Sequence, residues 1–235
     1  MEPSIEVRRA SERGRSQFGW LDSRHTFSFG RYYDGRHLGF GSLRVLNEDR
    51  ISGGAGFDTN AHKDLEILSY VIEGALVHED TAGNEQIVRA GDVQMLSCGR
   101  GVEHSEMNNS RRDPVHIIQV WIMPKVEGLD PSYEQRAFPD ELKRGHLCLI
   151  ASSDGRGESV TVHQDISIYS GLLDTGDSVA HDVRPGRRTW VQVVRGEVSV
   201  NQTVLSTGDG AGLEGDDRIG LRAIRPTEVL LFDMQ

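Results

Sequence analysis

At 235 residues the chain is long for one small β-domain and comfortable for two, so a paired or duplicated architecture is the first expectation. A net charge of -10 and a pI near 5.4 provide no basic footprint for phosphate backbones or anionic bilayers, which sets aside direct binding to nucleic acid or membrane. Two cysteines, Cys98 and Cys148, cannot build a disulfide framework, and no apolar run reaches the ~20 residues of a bilayer span or serves as a secretory segment, so a soluble, cytoplasmic chain is expected.

Glycine outnumbers proline 27 to 7 and recurs between short segments rich in Val, Ile and Leu, the punctuation of an all-β sandwich or barrel. The clearest predicted strands are Leu65–Ile72, Val115–Met123, Thr189–Val194 and Glu228–Asp233. Between Pro124 and Lys143 no period holds, and Pro, Glu, Asp and Tyr dominate, as in a linker. The expected layout is a barrel over 1–124, a linker over 125–145 and a second barrel over 146–235, with the N-terminal strand segment free to pack on the second barrel. A weak repeat supports it: LEILSYVIEGALVHED, closed by Gly91-Asp92, is echoed by TWVQVVRGEVSVNQ, closed by Gly208-Asp209. Aligning Gly74 with Gly196 and Gly91 with Gly208 gives offsets of 122 and 117, so the second copy is shorter between these marks.

The first copy carries the chemistry. It holds Gly54, Asn60-Ala-His62 and Glu66, then Gly91-Asp92, then Gly99-Arg-Gly101-Val-Glu-His104-Ser-Glu106, a spacing close to the two-part cupin signature. Along a strand, residues i and i+2 share a face, so Asn60 with His62, and His104 with Glu106, each send two side chains to one side. If both faces look inward, four groups converge. Two imidazoles and a carboxylate suit a divalent first-row metal; iron is the first expectation for this ligand set, and nickel, manganese, copper and zinc are compatible with it. A single His on a strand is more often a hydrogen-bonded residue than a ligand, and His25, His37, His78, His116, His146, His163 and His181 are read that way. Counting from Gly208 as from Gly91 puts Leu221 where His104 would stand, so the second barrel lacks a comparable cluster.

Blocks along nearly the whole chain resemble the pirin family: Gly19-Trp20-Leu21-Asp22, His25-Thr-Phe-Ser-Phe29, His62-Lys-Asp-Leu-Glu-Ile67, His104-Ser-Glu106, Tyr133-Glu-Gln-Arg136 and His163-Gln-Asp165. The resemblance implies a bicupin, two antiparallel cupin or jelly-roll barrels, with one metal held in the first by three His and one Glu. His62, His104 and Glu106 match three of those positions. The fourth is Asn60, where family members generally carry His, and an amide oxygen is the weaker donor, so a weakened site or an open coordination position is expected. The general cupin pattern would use a glutamate at the place of Glu66; here that role falls to Glu106. The resemblance further implies a dioxygenase like the bacterial pirins that open the central ring of quercetin, with Glu106 as base toward a flavonol hydroxyl. A rival reading is a non-catalytic regulator that binds a protein partner, with the metal or the nearby thiol of Cys98 as modulator.

Overall fold

The computed structural model describes residues 4–235. Extended segments dominate because Val, Ile and Leu recur at strand spacing and glycine turns interrupt each run before a helical period can build. In chain order the first twelve strands are β1 (Ser4–Arg8), β2 (Gly14–Phe18), β3 (Leu21–His25), β4 (Leu43–Ile51), β5 (Gly56–His62), β6 (Glu66–Glu73), β7 (Ala75–Asp80), β8 (Glu85–Arg89), β9 (Asp92–Ser97), β10 (Val102–Asn108), β11 (Val115–Ile122) and β12 (Ser132–Ala137). The remainder are β13 (Leu147–Ser152), β14 (Val160–Thr161), β15 (Ile166–Leu173), β16 (Ser178–Asp182), β17 (Arg188–Arg195), β18 (Glu197–Val200), β19 (Thr203–Ser206), β20 (Gly210–Glu214), β21 (Arg218–Ala223) and β22 (Thr227–Met234).

They form two compact units. One comprises Gly14–Ala137 with Val160–Gln164; the other takes the chain up to Arg13, Phe138–Ser159 and Asp165–Gln235. In the first unit one antiparallel sheet runs β12, β9, β6, β11, β4, β3, β2 and the other β5, β10, β7, β8. Ile51, Val71, Val115 and Ile117 of the first sheet bury against Leu76 and Val88 of the second. In the second unit a sheet containing β1, β20, β17, β22, β15 and β13 in that order packs on β16, β21, β18, β19 through Val191, Leu213, Leu231, Val198, Leu205 and Ile219. The expected cupin fold is therefore present as two jelly-roll sandwiches, and the sheets do not close into barrels.

The repeat has a hydrogen-bonded basis. Ala90 N donates to Gly74 O (3.0 Å) and Gly91 N to Val71 O (2.9 Å), while Thr207 N donates to Gly196 O (2.9 Å) and Gly208 N to Val193 O (2.8 Å). Both copies thus tie the same hairpin glycine to the same later turn. Gly74 and Gly196 sit at φ +79° and +94°, a region that side chains avoid, and a Cβ on Gly196 would lie 2.2 Å from Pro226 O. Gly196→Ala is expected to cost about 1–3 kcal/mol, read as a lower urea midpoint at unchanged slope.

The stretch read as a linker is partly a strand. Residues Ser132–Ala137 pair along β9 from Ser132 opposite Ser97 to Ala137 opposite Asp92. Its mixed composition follows from its place at the edge of the sheet, where half-buried side chains face polar surroundings and no apolar alternation is required.

Candidate metal centre and cavity

Strand β10 is the middle of the site because β5 and β7 flank it on either side. Across one ladder His104 stands opposite Asp80 and Glu106 opposite His78; across the other His104 stands opposite Asn60, Val102 opposite His62, and a bulge brings Phe57 opposite Glu106. Directly paired residues share a face, so this register turns His62, His104, Glu106 and His78 into the same interior. The His62 and His104 rings are 5.2 Å apart between centroids, and His78 lies 5.5 Å from His104. Ligand atoms of His78, His104 and Glu106 all lie within 4.8 Å of one another.

His78 is the residue that sequence reasoning set aside. Its Nε2–H donates to Asp80 Oδ2 at 3.0 Å, which leaves Nδ1 unprotonated, buried and without a hydrogen-bond partner. An imidazole pinned by a carboxylate on one nitrogen and bare on the other is the arrangement metal-ligating histidines use. His104 Nδ1 is likewise buried and unpartnered. The signal was present in His78-x-Asp80, but its meaning depends on knowing that β7 pairs with β10. Asn60, by contrast, is exposed and turns its amide onto Asp58 O at 2.5 Å.

Glu106 is held from the opposite sheet. Ser69 Oγ donates to Oε1 (3.1 Å), Gln119 Nε2 to Oε2 (2.7 Å), and Gln94 Nε2 to Oε1. Those amides are oriented in turn, since Trp121 Nε1 donates to Gln119 Oε1 at 3.0 Å and the Tyr133 hydroxyl to Gln94 Oε1 at 3.2 Å. Gln94, Ser69, Gln119, Asn47 and His25 form one transverse row across β9, β6, β11, β4 and β3, each directly opposite the next. All five are buried. In the second unit the equivalent row is Ala211, Val191, Leu231 and Tyr169. The ladder also corrects the alignment by counting: Leu221 stands opposite Val200 as Glu106 stands opposite His78, so Leu221 is the counterpart of Glu106 and not of His104. Neither count yields a ligand there.

Burial pushes the Glu106 carboxyl up to about 7; the bonds from Ser69, Gln94 and Gln119 oppose this, and the charge of Asp49 adds to it. Burial, then the neighbouring His78 and His62, drives His104 down to about 4, and burial also lowers His62 and His78. The imidazoles are therefore neutral lone-pair donors at neutral pH, Oε2 of Glu106 retains a free lone pair, and the donor set fits a divalent cation. Without the ion the two ends of the site oppose each other. Glu106, raised from 4.5, contributes stability that is lost as pH rises through about 7, whereas His104, depressed from 6.5, contributes stability that is lost as pH falls through about 4. Binding of the ion expels the Glu106 proton, so apparent affinity for nickel(II) is expected to fall about tenfold per pH unit below about 7 and to level off above it. Competition with a chromophoric chelator across that range measures the slope.

His62, His104 and Glu106 line a cavity of about 470 Å³ whose walls include Phe18, Trp20, Phe29, Phe57 and Trp121. Trp20 meets Phe57 edge-on at 5.6 Å, Phe29 meets Trp121 edge-on at 5.3 Å, and His62 abuts Trp121 at 5.0 Å. Glu66 stays outside this space. Three positions from Ser69 on β6, it faces the other side of the sheet, where Ser97 Oγ (2.7 Å) and His163 N (3.1 Å) donate to it. Cys98 is fully buried among Leu65, Ile67, Leu96 and Val102, and burial with the Glu66 charge pushes its thiol up to about 12, the surroundings of a packed apolar side chain rather than of a reactive thiolate. The remaining histidines with defined partners are paired structurally: His25 with Asn47, His37 with Asp34, His116 with Glu48, His163 with Glu66 and His181 with Asp233.

The pirin profile matches residues 6–122, and a profile described as the quercetinase C-terminal cupin domain matches 149–234. A quercetin 2,3-dioxygenase of Escherichia coli K12 is 46% identical over 230 residues, covering 98% of each chain. The chain belongs to the pirin family. A putative quercetin 2,3-dioxygenase of Pasteurella multocida is 39% identical to this pirin, covering 98% of it and 99% of the relative. Among solved structures, a bacterial pirin from Escherichia coli in complex with nickel(II) superposes on it with a TM-score of 0.94 at 45% identity, covering 98% of this chain and 99% of that one. No helix among the described residues is long and apolar enough to cross a membrane.

Proposed function

We propose that this pirin is a metal-dependent dioxygenase that opens the central ring of a flavonol-like substrate with dioxygen and releases carbon monoxide. The observation that carries the reading is that His104 and Glu106, two members of the buried imidazole and carboxylate cluster, line an aromatic-walled cavity of about 470 Å³, a size and polarity suited to one flat phenolic molecule. His104 and Glu106 would hold the ion together with His78, whose ligand atom stands within 4.8 Å of theirs, and with His62, whose ring lies 5.2 Å from that of His104, in the absence of a histidine at 60. Iron(II) and nickel(II) are the ions to load first. The ion would supply Lewis acidity toward the substrate's oxygens and a route for electrons between substrate and dioxygen.

The chain's own residues do the rest. Trp20, Phe57, Phe29 and Trp121 offer flat apolar faces that orient the rings and exclude water. Glu106 takes the proton of the flavonol 3-hydroxyl, and its bonds from Ser69, Gln94 and Gln119 hold the carboxyl group in place without reorganisation. A cytoplasmic location is in keeping with two free cysteines.

The test is aerobic mixing of metal-loaded protein with quercetin while the flavonol band and evolved carbon monoxide are followed. Metal-dependent decay with stoichiometric carbon monoxide is the expected result. A fully metallated protein that leaves quercetin intact would move the reading to a regulator that binds a protein partner.

A further inference from the structure

A second carboxyl faces the cavity and takes no part in the metal cluster. Asp49 lies two residues beyond Asn47 on β4 and so on the same inward face, 2% exposed, in a register row that reads Ser16, Ser23, Asp49, Ile117. Ser23 hydrogen-bonds its carboxyl. The other oxygen, Oδ1, is buried without a partner, although the residue lines the cavity.

The fold gives no reason for this group. Burial raises it to about 7, and the charge of Glu48 adds to the rise. The second unit places Gly171 at the equivalent register and builds the same sandwich without any carboxyl there, since Val229 pairs with both Gly171 and Val193 as Ile117 pairs with Asp49 and Val71. A buried polar atom left unsatisfied is destabilising and is retained where a ligand completes it. What completes an unpartnered carboxyl oxygen inside an aromatic cavity is a hydrogen-bond donor carried on a flat ring.

We propose that Asp49 is a specificity-determining residue that hydrogen-bonds a second hydroxyl of the bound polyphenol, distinct from the hydroxyl that Glu106 deprotonates. The inference rests on the flavonol reading above and narrows it: the preferred substrates are flavonols hydroxylated beyond the 3-position, and 3-hydroxyflavone, which lacks the second donor, is the poor member of the class. Because the contact orients the ligand and does not touch the ion, the variants are compared at saturating metal.

The test uses metal-loaded protein without oxygen, with tryptophan quenching as the binding signal. The wild-type protein binds quercetin at least about tenfold more tightly than 3-hydroxyflavone. In Asp49→Leu quercetin binding weakens about 10- to 100-fold while 3-hydroxyflavone changes little, so the preference disappears. The melting temperature of the ligand-free variant rises, which a merely structural role for Asp49 would reverse. Asp49→Asn, which keeps the shape and a weaker acceptor, loses part of the preference and carries the test should the leucine variant misfold. An undiminished preference in either variant, equal weakening of both flavonols, or no preference in the wild type overturns the proposal. Admission of air separates the two readings. Discrimination without oxygen uptake sinks the dioxygenase assignment alone, and failure of the wild type to bind either flavonol sinks both.

Discussion

Glu106→Gln is expected to leave the sandwich intact and lower quercetin turnover by about 10²- to 10⁴-fold at saturating metal, because the amide can neither take the substrate proton nor offer the ion an anionic oxygen. The side chain is isosteric and keeps Oε1 as the acceptor for Ser69 and Gln94, while its new amide meets the Nε2 of Gln119, which Trp121 holds in place, and forfeits that one hydrogen bond. Metal-free Glu106→Gln should moreover be at least as stable as the parent above about pH 7, where the parent is forced to ionise a carboxyl that burial has raised to that value. Metal analysis beside kinetics decides the matter: a variant with full metal content and unchanged turnover would remove Glu106 from the chemistry.

Asn60→His should act in the opposite direction. Position 60 stands directly opposite His104, yet the native amide is exposed and folded back on the backbone of Asp58. An imidazole there restores the fourth donor of the family pattern, and retention of nickel(II) against a chelator should tighten by roughly 10- to 100-fold. An unchanged off-rate would mean that the outer strand does not reach the ion. If His78 already fills that role, the gain falls at the lower end of this range, and Asn60→His/His78→Ala would recover what His78→Ala alone loses.

How much could be read beforehand depended on how local each feature is. The four apolar runs were visible because a strand's signature is written in consecutive residues, and β6, β11, β17 and β22 fall within a residue or so of the predicted spans. His104 and Glu106 were legible for the same reason, since a period of two fixes their common face. His78 was not, because its partner across the ladder lies 28 positions away and its own neighbourhood resembles any polar hairpin. The transverse row whose first three members grip Glu106 was hidden more deeply, as Gln94, Ser69, Gln119, Asn47 and His25 sit on five strands and only register brings them abreast. The linker reading failed at Ser132–Ala137 because an edge strand needs no apolar alternation to pair.

That row also divides labour between the two halves. Where one copy spends its interior on amides, hydroxyls and imidazoles, the other fills the same places with Ala211, Val191 and Leu231, gaining hydrocarbon contact and losing any grip on a cation. The duplicated architecture thus carries its own comparison of a reactive interior with a waxy one, and wear from heat or chelation should begin in the half that holds the chemistry.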